Sequence, residues 1–193
     1  MAYRLIRTLT AAALALGLGG PALAQDQPPS AYGCSYLGDD PLMPIFEGTD
    51  GVFYRIDSDL RMYHPFSDTT VELLGQLSDV LRENGTTLVF LPVPTKSQVM
   101  QEYMTDRAEL YGFDHGIATA VYADIVDRLN TRGVITIDGQ EALRQGDPAD
   151  WPFFGPDFHW TAEGARRAAV AIDQELERQN LYDGLTRTTF ETV

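Results

Sequence analysis

Two short apolar runs constrain the fold more than any other feature of this sequence. They occupy residues 86–91 and 134–138, and each follows a helical pattern that ends at a glycine. Continuous apolar runs of this length predict strands buried on both faces, as in a parallel sheet. Because helical patterns precede, separate and follow them, the sequence predicts an α/β fold.

Three longer helices are predicted from apolar residues at helical spacing. The first begins at Ser67 or Asp68 and ends at Asn84, the second ends at Gly133, and the third begins at the N-cap residue Thr161. The remaining predicted elements are a half-buried strand at residues 51–56 and a short helix at residues 141–145. Three strand candidates are few for an α/β domain of this size, so we expect the domain to be incomplete.

Residues 1–24 have the pattern of a bacterial secretory signal. Arg4 and Arg7 precede an apolar run at residues 11–18, and the Ala-Leu-Ala of residues 22–24 is the small-x-small pattern that signal peptidase cleaves. The apolar run is too short for a stable membrane span. We therefore expect a signal peptide over residues 1–24, an irregular lead-in over residues 25–50 and a partial α/β domain over residues 51–193. The product is expected in the periplasm, with no direct membrane insertion.

Charge and composition exclude several classes of protein. Lys and Arg number 14 against 28 Asp and Glu, so the formal net charge is −14. Such a field repels phosphate backbones and anionic lipid, so we expect no nucleic-acid partner. One Cys and three His exclude a zinc finger, an iron–sulfur site and a disulfide framework. Cys34 is then either a buried small residue or paired with sequence outside this chain.

One histidine has neighbours suited to catalysis. Asp157 precedes His159 by two residues, and in an extended loop both side chains point the same way. The carboxylate can then accept a hydrogen bond from one imidazole nitrogen and leave the other free as a base. The alternative is an inert ion pair in a turn. His64 and His115 lie near helix starts, and we interpret them as surface or capping residues.

Three neighbours of this pair have predicted structural roles. Phe158 and Trp160 can exclude water from the pair, and the cap Thr161 would hold it at the start of a helix. Sites of α/β folds lie in loops beyond strand ends, which is where this segment falls.

Three segments carry a resemblance to a known family. Residues 156–165 read PDFHWTAEGA, residues 47–53 read EGTDGVF and residues 91–96 read LPVPTK. These three segments resemble, respectively, the Asp-x-His-Trp-Thr-x-x-Gly-Ala, Gly-x-Asp-Gly-apolar-Phe and Pro-x-Pro-x-Lys motifs of the AlgX/AlgJ family. These SGNH-hydrolase-like proteins O-acetylate alginate and other exopolysaccharides in the bacterial periplasm.

The resemblance implies a fold and a mechanism. The fold would be a three-layer α/β/α arrangement with a mostly parallel sheet. Asp157 would orient His159, and His159 would be the general base that activates a serine hydroxyl. The serine would take an acetyl group and pass it to a sugar hydroxyl, with no metal and no bound cofactor. The implied partners are a polysaccharide acceptor and an acetyl donor, a membrane acetyl-transfer protein.

Three further points follow from that resemblance. Lys96, the only lysine, either faces the site from the end of its strand or is solvated; we expect it to be solvated. The strongly acidic chain is a poor attractor for a polyanion, so the sequence favours polysaccharide O-acetylation more than alginate itself. Aromatic residues near the motif would either stack on sugar rings or pack a loop over the sheet edge: Trp151, Phe153, Phe154, Phe158 and Trp160.

The sequence departs from the family at the nucleophile. In the family the catalytic serine lies in a Gly-x-Ser element after the Asp-x-His motif, but here no serine follows His159. The serines beyond the predicted signal peptide all lie upstream: Ser30, Ser35, Ser58, Ser67, Ser78 and Ser97. The chain is then a truncated or split member, a non-catalytic polysaccharide-binding or scaffold relative, or a protein that recruits a water or an upstream serine. We favour truncation, because Cys34 and the few strands also indicate absent sequence. An acetylesterase of the same superfamily is a further alternative.

Overall fold

The computed structural model of the protein describes residues 44–62, 66–184 and Thr188. The predicted signal peptide lies outside the described residues, and so do Cys34 and His64. Of the predicted lead-in, only residues 44–50 are described. The domain boundaries that the sequence predicts therefore stay predictions.

The described chain begins with an antiparallel strand pair. β1 (Ile45–Glu47) pairs with β2 (Phe53–Arg55), and the four-residue helix α1 (Ile56–Asp59) follows directly. β2 is the strand predicted at residues 51–56. β1 was not predicted, because a strand of this length is too short to show an alternating pattern.

A second strand pair is parallel, as the sequence predicts. β3 (Val89–Phe90) pairs with β4 (Ile135–Thr136). The prediction that residues 86–91 are buried on both faces is wrong, because both residues of β3 are only half-buried and Thr86 and Thr87 are exposed. Each of the two strands has one neighbour among the described residues, so each leaves one edge without a partner strand there.

Two long helices pack beside the parallel pair. α2 (Asp68–Glu83) begins at its N-cap Ser67, whose hydroxyl accepts the Thr70 N–H at 3.1 Å. α4 (His115–Arg132) ends at Gly133, whose φ of 89° suits a residue without a Cβ. These boundaries confirm the predicted ends. The two helices enclose a core cluster of buried residues, Val71, Ile125, Leu129 and Val134.

The segment between β3 and α4 holds elements that the sequence did not predict. α3 (Lys96–Val99) has a capping box, in which Thr95 and Gln98 satisfy each other's backbone N–H groups, and all four of its residues are buried. Two 3₁₀ helices follow, Gln101–Tyr103 and Asp106–Tyr111. Elements of one or two turns are too short to show a helical period, so no pattern in the sequence indicated them.

The last two helices pack on each other. Asp138 caps α5 (Gly139–Arg144) by accepting the Glu141 N–H at 2.9 Å. α6 (Ala162–Arg178) approaches α5 through the buried Arg167, whose guanidinium donates to the Leu143 carbonyl at 2.8 Å. No helix of the described residues is both long enough and apolar enough to cross a bilayer.

The larger core cluster lies on the side of the antiparallel pair. It joins β1 and β2 to α3, α5, α6 and the loop before α6. Its buried members are Phe46, Val52, Tyr54, Leu60, Val99, Met100, Ala108, Phe113, Ala118, Leu143, Phe153 and Ala168. This core therefore supports the segment that carries Asp157 and His159.

Candidate active site

The candidate site lies on a short hairpin-like loop before α6. Phe153 and Trp160 form an isolated antiparallel bridge, and within it the Phe154 N–H donates to the His159 carbonyl at 3.1 Å. The Asp157 N–H donates back to the Phe154 carbonyl at 3.2 Å. We call residues 153–160 the Asp-His loop. Its internal hydrogen bonds hold both candidate residues at one tip.

The predicted hydrogen bond between the two candidate residues is present. Asp157 Oδ1 lies 2.7 Å from His159 Nδ1 and also accepts the backbone N–H of His159 at 3.0 Å. The second contact makes an Asx turn, so a turn and not an extended loop brings the side chains together. The backbone N–H and the imidazole of His159 lower the pKa of Asp157. An ionised carboxylate only accepts, so Nδ1 carries the proton and Nε2 is free.

The pair is open to solvent. The side chains of His159 and Asp157 are 66% and 47% exposed. The Phe158 ring lies against the imidazole, with ring centroids 4.1 Å apart, and the guanidinium of Arg55 lies 3.6 Å from the Phe158 centroid. Phe158 is itself 41% exposed, so it covers one face of the imidazole but does not exclude water from it. The sequence had predicted that it would exclude water. A dissolved substrate can therefore reach Nε2.

Thr161 ties the loop to helix α6, as predicted. Its hydroxyl oxygen accepts the Gly164 N–H at 3.1 Å and donates its own proton to the Trp151 carbonyl at 2.6 Å. Its backbone N–H donates to the Pro152 carbonyl at 3.0 Å. The cap therefore joins the start of the helix to the strand-like segment on the other side of the loop.

The expectation of a solvated Lys96 is wrong. The side chain is 1% exposed, and Nζ donates to the carbonyls of Phe53 at 2.9 Å, Phe154 at 2.7 Å, Gly155 at 2.5 Å and Asp157 at 3.1 Å. The sequence left open that Lys96 faces the site, but it shows none of these partners, because all four carbonyls come from segments distant in the sequence. Its position after the Pro-x-Pro pair was the only available signal.

The charge of Lys96 is set by opposing effects. Burial lowers the pKa of its ammonium group to about 8, and the carboxylates of Asp59 and Asp157 oppose that shift. Burial also raises the pKa of Asp59 above its ordinary value, although the Arg55 N–H donates to its Oδ2 at 2.7 Å. The floor of the site therefore holds a buried cation beside a buried acid.

The aromatic residues divide between packing and exposure. Phe153 is 2% exposed, and Trp151 is half-buried with its indole N–H donating to the Tyr103 hydroxyl at 2.9 Å. Both have packing roles, whereas Phe154 and Phe158 are exposed. Phe158 and the half-buried Trp160 line a cavity of about 290 Å³ beside the Asp-His loop.

Three cationic side chains and one serine also line the cavity. Arg55, Arg61, Lys96 and Ser58 contribute to its walls. Among the described residues no serine hydroxyl hydrogen-bonds to His159. Within the same part of the chain, no group of three or more His, Cys, Asp or Glu side chains is placed to hold a metal ion.

Sequence comparison identifies the family. A family model described as "SGNH hydrolase-like domain, acetyltransferase AlgX" matches residues 45–193. The chain belongs to this family. The alginate biosynthesis protein AlgX of Pseudomonas aeruginosa is 30% identical over 172 residues, which are 89% of this chain and 35% of that protein. The probable alginate O-acetylase AlgJ of Pseudomonas putida is 28% identical over 147 residues, 72% of this chain and 37% of that protein.

Structure comparison supports the same fold. The structure of Pseudomonas aeruginosa AlgX superposes with a TM-score of 0.62 at 29% identity, covering 69% of this chain and 32% of that one. The SGNH-hydrolase-like α/β class is therefore confirmed. This chain spans about a third of the length of the curated relatives it matches. In the described residues the sheets are two strand pairs, one parallel and one antiparallel, which is less than the predicted mostly parallel sheet.

Proposed function

We propose that this protein takes part in the O-acetylation of an exopolysaccharide of the alginate type in the periplasm, with Asp157 and His159 as two members of a Ser-His-Asp triad. The observation that carries the proposal is the 2.7 Å hydrogen bond from His159 Nδ1 to Asp157 Oδ1, which leaves Nε2 free at the surface. The family and the names of its alginate-related relatives support the reaction class.

Each residue has a defined role in this reaction. Nε2 of His159 takes the proton of a serine hydroxyl while the serine oxygen attacks the acetyl carbonyl of the donor, and the donor leaves with that proton. A sugar hydroxyl then gives its proton to Nε2 while its oxygen attacks the acetyl ester, and the serine oxygen leaves with that proton. Asp157 stabilises the imidazolium that forms in both steps. That this serine lies on sequence beyond this chain stays a prediction.

The acetyl content of the polymer tests the proposal. In the source bacterium, chromosomal His159→Gln and Asp157→Asn variants are compared with wild type, and the O-acetyl content of the purified polysaccharide is measured by NMR. Loss of the base removes triad function, so we expect acetylation to fall by about 10³-fold or to the detection limit. Asp127→Asn, an exposed carboxylate change on α4, is the matched control.

The outcome also separates the alternatives. Unchanged acetylation in both variants, with normal amounts of the protein, would contradict a catalytic role. A non-catalytic binding protein has one supporting observation, the cavity that Phe158, Trp160 and the arginines line. If the protein only binds polysaccharide, the affinity of the purified chain for the polymer is unchanged by Asp157→Asn and is lost in Trp160→Ala. Titration calorimetry measures both affinities.

A further inference from the structure

Lys96 connects two segments that are far apart in the sequence. Its four acceptor carbonyls belong to β2, through Phe53, and to the Asp-His loop, through Phe154, Gly155 and Asp157. An ammonium group has three N–H donors, so at least one of them is shared between two carbonyls. All three donors are therefore engaged by carbonyls, and the residue is only 1% exposed.

The acceptors surround the residue that orients the histidine. The carbonyl of Asp157 accepts from Lys96, and its N–H donates to the Phe154 carbonyl, itself a Lys96 acceptor. A further contact joins the same segments, because the Phe53 N–H donates to the Gly155 carbonyl at 2.8 Å. The ammonium group of Lys96 thus holds, through hydrogen bonds, the backbone carbonyls of Asp157 and of the residues before it.

The need for a charge follows from burial. Three loop carbonyls point inward at one position. Without the ammonium group the Asp157 carbonyl would lose the donor found for it, and the Phe154 and Gly155 carbonyls would each keep only one backbone N–H donor, although all three bind water in the unfolded chain. A cation with several donors satisfies them together, and the Tyr54 ring, 5.5 Å from Nζ, and the Asp59 carboxylate lie beside it. A neutral apolar side chain of the same length satisfies none of them.

We propose that Lys96 is the positioning residue of the Asp157–His159 pair: its ammonium group holds the backbone of the Asp-His loop in the turn that brings Asp157 Oδ1 to His159 Nδ1. Its effect on acetyl transfer rests on the proposed function, whereas its effect on the geometry of the pair does not. Among the described residues no hydrogen bond joins Lys96 to the imidazole, so its effect on His159 passes through the loop backbone and Asp157.

The imidazole tautomer is the direct readout. Neutral histidine in water favours the proton on Nε2, whereas the hydrogen bond to Asp157 places it on Nδ1. Long-range ¹H–¹⁵N NMR correlations through the ring protons of His159 distinguish the two forms, with the signal assigned from a His159→Gln sample. In the full chain we expect the Nδ1-protonated form to dominate, and in Lys96→Met we expect that preference to be lost.

A stability control separates positioning from general destabilisation. Leu129→Ala removes a buried side chain from the core between α2 and α4, away from the loop. It lowers stability and leaves the tautomer of His159 unchanged. A Lys96→Met protein that folds and keeps the Nδ1-protonated form would overturn the proposal, whatever happens to polymer acetylation.

A measurement without a variant covers the case in which Lys96→Met does not fold. Because Lys96 is the only lysine, protein labelled with ¹⁵N-lysine gives a single side-chain ammonium signal. A bound ammonium shows slowly exchanging protons with nuclear Overhauser contacts to the amides of Phe154, Gly155 and Asp157. A rapidly exchanging signal without those contacts would equally overturn the proposal.

Discussion

At the scale of single residues, Gly164 shows how closely α6 approaches the chain before the Asp-His loop. A Cβ at this position would lie 2.2 Å from the carbonyl oxygen of Pro152. The obstructing atom is part of the backbone, so no change of rotamer can relieve the contact. The segment that carries Thr161 must then shift away from residue 152, to which it is hydrogen-bonded.

We expect Gly164→Ala to lower the free energy of unfolding by about 1–3 kcal/mol, the usual cost of forcing an extra methyl group into a packed contact. Equilibrium unfolding in denaturant measures this change in free energy. Gly116→Ala, in the first turn of α4, is the control, because the nearest atom to its Cβ is the flexible Asp114 carboxylate at 3.2 Å. Equal effects of the two substitutions would show that the approach at residue 164 is not a constraint.

The residue scale also shows which parts of the site the sequence can predict. Asp157 and His159 are two positions apart, so local geometry alone limits their separation, and their contact was predicted. Lys96 lies far from its acceptors in the sequence, and burial of a lysine depends on carbonyls that only the folded chain brings together. The predicted contact between Asp157 and His159 is therefore confirmed, whereas the prediction of a solvated Lys96 is wrong.

At the scale of elements, the first two turns of α6 hold the preceding loop by charge. Glu163 accepts from Arg166 and Arg167, at 2.7 and 2.8 Å. The buried Arg167 also donates to the carbonyls of Asp147 and Asp150, at 2.9 and 2.7 Å. These two arginines lower the pKa of Glu163 to about 2. The carboxylate also lies at the helix N-terminus, where negative charge is favourable.

This shift makes the stability of the protein depend on pH. The pKa of Glu163 is lower in the folded chain than its ordinary value of 4.5, so its contribution is complete above about pH 4.5 and is lost as the pH falls toward about 2. We expect Glu163→Gln to have a lower Tm than wild type near neutral pH and a difference that closes toward pH 2. Asp127→Asn, on α4, should show no such closing, and a constant difference for Glu163→Gln would contradict the assignment.

Elements were predicted to the extent that their ends are marked locally. Ser67 and Thr161 accept backbone N–H groups at the starts of α2 and α6, and Gly133 ends α4 in a left-handed conformation. These are local signals, so the long helices have the predicted ends. β1 and α3 have too few residues for a period and are stabilised by their burial in the larger core. Their existence depends on packing, which the order of residues does not show.

At the scale of the whole molecule, the placement of hydroxyl groups bears on activity. The Ser97 side chain is buried and donates to the Asp59 carbonyl, and the Ser67 hydroxyl caps α2. Ser78 is a buried residue of α2 itself. Ser58 lines the cavity, but no hydrogen bond joins it to His159 within the described residues. His159 therefore has no serine partner in this part of the chain.

We expect the 193-residue polypeptide to hydrolyse an activated acetyl ester no faster than free imidazole at the same concentration. Release of nitrophenolate from p-nitrophenyl acetate measures the rate, with His159→Ala and Ser58→Ala as matched variants. Turnover that exceeds the imidazole rate and disappears in His159→Ala would contradict the prediction. Its loss in Ser58→Ala as well would identify an upstream nucleophile.

Both tryptophans of the sequence, Trp151 and Trp160, flank the loop that carries Asp157 and His159. Trp151 is hydrogen-bonded to Tyr103, and Trp160 lines the adjacent cavity. The intrinsic fluorescence of this protein, excited at its red edge, consequently originates only from the immediate surroundings of that loop. Binding of a ligand at this loop can thus be tested by emission spectroscopy on the unlabelled protein.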